Sequence, residues 1–194
     1  MLDALKDESI ERYMLPDTLG ILNQQETYDF CLDMVTRYPD LDFDFHAHND
    51  YDLATANVFS AIKAGISGIH TTLNGLGERA GNVPLSSVIG VVSDHFGYEM
   101  NVKEDRLYHA SKMLESFSGI RIPSNKPLIG ENVFTQTSGI HADGDQKDDL
   151  YFNDLWSTRA RRERVPTVRA DQLRCGLASP ERAVHALKKA YAHL

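Results

Sequence analysis

Between residues 10 and 72 short runs of strand character alternate with longer runs of helical spacing, and that alternation restricts the fold more than any other feature. "YMLPDTLGIL" joins apolar residues to turn formers and reads as a strand end followed by a loop. A helix from Asn23 to Tyr38 comes next, with Phe30, Cys31, Met34 and Val35 as its inner stripe and Pro39 as its stop. The run around "FDFHAH" is a second strand, followed by a helix from about Asp52 to Ala64 closed by Gly65, and a short strand around Gly68 to Thr72. This β-α-β-α-β order calls for parallel strands with helical crossovers, as in a doubly wound sheet or a (β/α) barrel, and it puts functional side chains at the carboxyl ends of strands. Leu2 to Arg12 also has helical spacing. Pro84 to Phe96 and Asp105 to Phe117 read as two more helices, ahead of a Gly- and Pro-punctuated stretch that implies a linker with a cap domain.

The second strand carries the chemistry. Successive side chains of a strand point to opposite faces, so Leu41, Phe43 and Phe45 share one face while Asp42, Asp44, His46 and His48 share the other. His46 and His48 then lie roughly 6 to 7 Å apart at Cα, a spacing that suits two ligands of one ion. Spacing alone favours a plainer reading, a half-exposed strand with two hydrogen-bonded histidines. Asn82 likewise reads by itself as an N-cap for the helix that starts near "VPLSS".

Composition narrows the function classes. The 42% of hydrophobic and 25% of charged side chains among 194 residues allow one sizeable core. A formal charge of −8 argues against nucleic acid or an anionic membrane as partner and leaves small molecules as the default. The acidic amino terminus has no secretion-signal pattern, and no apolar run approaches the ~18 to 20 residues of a membrane span, so the cytoplasm is the expected compartment. Cys31 and Cys175 are too few and too distant for a disulfide framework or a CxxC site. From Trp156 onward the balance reverses to nine Lys+Arg against three Asp+Glu, an atypical basic tail on an acidic body.

Three motifs in order, "FDFHAHND", "NGLGERAGN" and "SGIHADG", resemble the isopropylmalate and homocitrate synthase family, the metal-dependent TIM-barrel Claisen acyltransferases, with isopropylmalate synthases as the nearest likeness. The likeness runs over roughly residues 10 to 155. It implies a partial (β/α)8 TIM barrel of about strands 6 to 8 over residues 1–96, a linker and mainly helical subdomain over 97–155, and the basic tail over 156–194. In the family, earlier strands supply an aspartate ligand, an arginine and a glutamate. The chain is therefore expected to be the carboxyl-terminal part of a synthase, either inactive alone or working with a separate amino-terminal half.

The resemblance also assigns roles. His46, His48 and Asn82 become ligands of a divalent ion (Mg, Mn, Co or Zn); Asp44, by its place on the same strand face, reads as an ion-pairing group or one that supports the ligands rather than as a ligand itself. His141, which alone would read as a surface histidine, becomes a proton-transfer residue that reaches over the barrel mouth from the partner subunit of a homodimer. Glu78 stands as a catalytic candidate and Arg79 as a substrate contact, or the two simply pair. Thr18 either bonds the substrate carboxylate or closes the "PDTLG" turn. The implied reaction condenses acetyl-CoA with a 2-oxo acid, 2-oxoisovalerate first, with homocitrate or citramalate synthesis as alternatives. A lyase of the hydroxymethylglutaryl-CoA type would need a cysteine in the glycine loop, and residues 74–82 contain none.

Overall fold

The computed structural model describes residues 2–133. Three strands, β1 (Tyr13–Asp17), β2 (Phe43–Ala47) and β3 (Gly68–His70), form one parallel sheet in the order β1-β2-β3. Helices α1 (Gln24–Arg37) and α2 (Ala54–Lys63) make the crossovers, and α3 (Leu85–Phe96) and α4 (Leu107–Ser118) follow. The expected alternation is what the chain adopts.

Burial alternates along β1 and β2 as the period of two requires, while the short β3 is not fully buried at any position. Tyr13, Leu15, Phe43, Phe45 and Ala47 are buried beneath the helices with Cys31, Val58, Ala61, Val88 and Val92. Burial alone pushes the Cys31 thiol up to about 12, so it acts as a small apolar side chain. The opposite face carries Met14, Asp44, His46 and His70 and has no second layer among the described residues; Met14 is 52% exposed. Arg12 donates to Asp44 through Nε at 2.7 Å, and His70 Nε2 lies 3.1 Å from the same carboxylate. The Arg12 hydrogen bond, reinforced by His70, holds the Asp44 carboxyl below its usual range against the opposing effect of burial.

Several local expectations shift. Leu2 to Arg12 is not a helix: only Leu2–Ala4 forms a 3-10 turn. The Leu5 carbonyl accepts the Tyr13 hydroxyl at 2.6 Å, and Ile10 N–H turns back to Glu8 at 2.8 Å, so the chain bends into β1. Phe30, expected inside, is 38% exposed, and Thr27 and Cys31 are the buried residues of α1. That helix starts at Gln24 because Asn23 caps it, accepting from Gln25 and Glu26 while Glu26 returns a bond to the Asn23 N–H. α2 starts two residues later than expected, since Asp52 has φ 60 and cannot join a right-handed helix. No helix among the described residues is long and apolar enough to cross a membrane.

Candidate metal and substrate site

β2 ends in the histidine pair. His46 faces away from the helices, His48 follows just past the strand, and their ring centroids stand 5.1 Å apart at 71°. The loop after β3 brings Asn82 alongside: His48 and Asn82 form an isolated antiparallel bridge, and Asn49 N–H donates to the Gly81 carbonyl at 2.9 Å. Thr72 lies next to this, its N–H bonded to the Val83 carbonyl at 3.2 Å.

This carboxyl edge holds buried polar atoms without partners. His46 Nδ1, His48 Nδ1, Asn82 Oδ1 and Thr72 Oγ1 have no hydrogen bond. Each such atom costs roughly 1 to 3 kcal/mol when left unsatisfied, so their gathering at one edge marks a place for another polar group. Asn82 does not cap α3, whose N-cap position is Pro84 with no side-chain bond. It donates Nδ2 to the Leu76 carbonyl at 3.1 Å, which fixes the amide and leaves Oδ1 free. Burial, then the neighbouring His48 and His70, push the His46 pKa down, so its ring stays neutral near pH 7 and has a lone pair to give. Two imidazoles and an amide oxygen make a mixed set compatible with Zn²⁺, Mn²⁺, Co²⁺ or Mg²⁺. Among the described residues no group of three or more His, Cys, Asp or Glu could hold a metal, so any carboxylate ligand must come from elsewhere. Asp44 is committed to Arg12 and His70, the ion-pairing role expected for it.

The remaining candidates part ways. Thr18 is exposed, and Asp17 closes the turn: its buried carboxylate accepts from Ile21 N–H at 3.1 Å and Leu22 N–H at 3.2 Å. The Glu78 side chain is 87% exposed and meets Arg79 only at 3.8 Å. Arg79 is paired, but with Asp50 at 2.8 Å, a partner its sequence neighbourhood did not indicate. His141 lies outside the described residues. Asn49 and Asp50, quoted in the motif without a role, gain one here. Asn49 Oδ1 accepts the Ala54 N–H at 3.1 Å at the start of α2, and Asp50 takes Arg79.

The glycine loop is tested by a pair of alanines. Gly81 has φ 87, and an added Cβ would strike the Gly75 carbonyl; Gly97 has φ 66 but open space around it. Gly97→Ala should therefore cost about 1 kcal/mol, the left-handed backbone penalty alone. Gly81→Ala should cost visibly more and also lower cation uptake, by calorimetry and metal titration. Equal effects of the two would show that the close approach at Gly81 is unimportant.

The parallel α/β layout with its unpaired polar atoms at the strands' carboxyl ends places the chain in the class of α/β proteins that carry functional groups at that edge, in a doubly wound sheet or a (β/α) barrel. Within that class the chain belongs to the HMGL-like family, whose model matches residues 1–114. It is 40% identical over 144 residues to a homocitrate synthase of Sulfolobus acidocaldarius, covering 74% of this chain and 31% of that protein. It is 40% identical over 139 residues to a homocitrate synthase of Saccharolobus solfataricus, covering 72% and 30%. An HMG-CoA lyase structure from Bacillus subtilis superposes with a TM-score of 0.57 at 26% identity, over 63% of this chain and 43% of that one. The chain thus spans about 30% of the length of these curated relatives.

Proposed function

We propose that the chain is part of a homocitrate synthase-like acyltransferase, and that β1 to β3 are the wall of a (β/α)8 barrel that the uncovered sheet face would help to close. The observation that carries this is the set of unpaired donors at one strand edge, His46, His48 and Asn82, in a chain 40% identical to homocitrate synthases. Two features support the barrel: sequential strand order without reversal, and a sheet face bearing Met14 and His70, the latter 44% exposed, where further strands would pack.

A bound divalent ion would polarise the ketone of a 2-oxo acid. His46, His48 and Asn82 would hold it, and the open side of the sheet would receive the acid. His141 would take a proton from the acetyl-CoA methyl group, whose carbon would then bond to the ketone carbon as the C=O π pair moves onto oxygen and picks up a proton; water would then cleave the thioester, giving a carboxylate and free CoA thiol. The active assembly is proposed to be a homodimer completed by an amino-terminal half of the barrel. Homocitrate is the product when the acid is 2-oxoglutarate, which replaces 2-oxoisovalerate as the leading substrate.

Release of CoA thiol, followed with each acid after the chain is mixed with an amino-terminal half, tests this reading. Faster release with 2-oxoglutarate is expected. Preference for 2-oxoisovalerate would restore isopropylmalate synthesis, and cleavage of hydroxymethylglutaryl-CoA instead would make the protein a lyase despite its cysteine-free loop.

A further inference from the structure

One side chain ties together the loops that leave β1, β2 and β3. Arg79 donates through Nε to Asp50 Oδ1 at 2.8 Å and through Nη2 to Asp50 Oδ2 at 3.0 Å. The same Nη2 donates to the Thr18 carbonyl at 2.6 Å. These partners are 29 and 61 residues away in sequence, one on each neighbouring loop. A two-pronged guanidinium-carboxylate bond is the most orienting of the ordinary ion pairs.

The backbone at Arg79 shows why the side chain matters. The residue sits in a turn closed by Gly81 N–H to the Glu78 carbonyl at 2.8 Å, and its own φ is 56. Glycine enters that region freely and arginine does not. A turn of this shape needs no arginine; the guanidinium adds an anchor to β2. The residues that follow run directly into the candidate site. Gly81 accepts from Asn49 at 2.9 Å, Asn82 N–H donates to Gly75 at 3.1 Å, and Asn82 bridges His48.

We propose that Arg79 is a positioning residue: its paired bonds to Asp50 and its third bond to Thr18 clamp the 78–82 turn onto the ends of β1 and β2, and so hold Asn82 Oδ1 beside the His46 and His48 rings. The inference rests on reading those three residues as cation ligands. It takes the guanidinium out of the pool available to a substrate carboxylate and gives the Asp of the histidine motif a task distinct from ligation.

The test uses the full chain with two readouts, Co²⁺ affinity by titration and exchange of the Asn49 amide hydrogen in metal-free protein. Arg79→Gly removes the clamp while easing the backbone, and Asp50→Asn removes it without touching the turn. Each should weaken Co²⁺ binding roughly 10- to 100-fold, the range for groups that orient ligands. Each should also speed Asn49 exchange roughly tenfold or more by loosening its bond to Gly81. Combined, they should do little more than the stronger single change, because they break one interaction. Arg79→Lys keeps the charge without the fork and should fall between. Unchanged Co²⁺ affinity in Asp50→Asn, or fully additive effects, would overturn the proposal. Should a variant lacking both His46 and His48 rings bind Co²⁺ as well as the wild type, the ligand reading fails. Asn49 exchange then decides the clamp alone: acceleration upholds it and no change removes it.

Discussion

Replacing His46 and His48 together by alanine should abolish retention of divalent cation by the purified chain, measured by elemental analysis after desalting. Their rings stand 5.1 Å apart, with Nδ1 of each buried and unpaired. Structural zinc sites bind with about 10 kcal/mol or more at neutral pH across about four ligands, so two ligands together account for roughly 5 kcal/mol. That loss is a factor of roughly 10³ to 10⁴ in affinity, enough to carry a modest binder past detection. His95→Ala serves as control, since that ring packs on Phe59 at 5.9 Å and belongs to α3. Equal metal content in the wild type and the double variant would remove the pair from any cation site. Acid should displace the ion by protonating the ligands. Because burial lowers the His46 pKa, this ring stays neutral below the ordinary histidine value, and its contribution is lost only as pH falls through that lowered value.

What sequence could reveal divides along the reach of the interactions. The two faces of β2 follow from a period of two, and the burial of Phe43, Phe45 and Ala47 agrees with it. Helix ends depend on neighbours a few residues away, so Asn23 and Pro39 could be read as a start and a stop, whereas Asp52 at φ 60 could not be foreseen. The failed helix at Leu2 to Arg12 shows the limit of periodicity. Its spacing is real, but a short segment without strong packing yields to a single bond from Tyr13 and the need to enter a strand.

The site was legible to the same depth. Spacing set His46 and His48 side by side, but only the family resemblance made them and Asn82 ligands; Asn82 by itself read as an N-cap, and the position of Pro84 at that cap sets this reading aside. Arg79 shows the opposite case. Its role depends on Asp50 and Thr18, brought near by two crossovers, and no local pattern encodes a contact across 61 residues. Asp44 was readable as an ion-pairing residue in kind, though not in its partners, since Arg12 sits just before β1 and His70 lies on β3.

In a mixture reconstituted with the amino-terminal half of the barrel, His141→Ala should lower CoA release by roughly 10² to 10⁴, the usual weight of a general acid or base. Cation content should not change, because His141 is assigned to the proton and not to the ion. The lone chain should release no CoA above background with either 2-oxo acid. Barrel sites draw side chains from the ends of several strands, and the end of β2 and the loop after β3 supply two histidines and an amide but no group of three His, Cys, Asp or Glu among the described residues. Mixing can restore turnover because such sites require placement of their groups, not continuity of the chain between them. The open sheet face, where Met14 is 52% exposed, is the surface that the added half should cover, so turnover and protection of that face should rise together. Full turnover by the chain alone would overturn the need for a second half. An unaffected His141→Ala mixture with normal cation content would take that histidine out of the reaction and leave the methyl proton to another base.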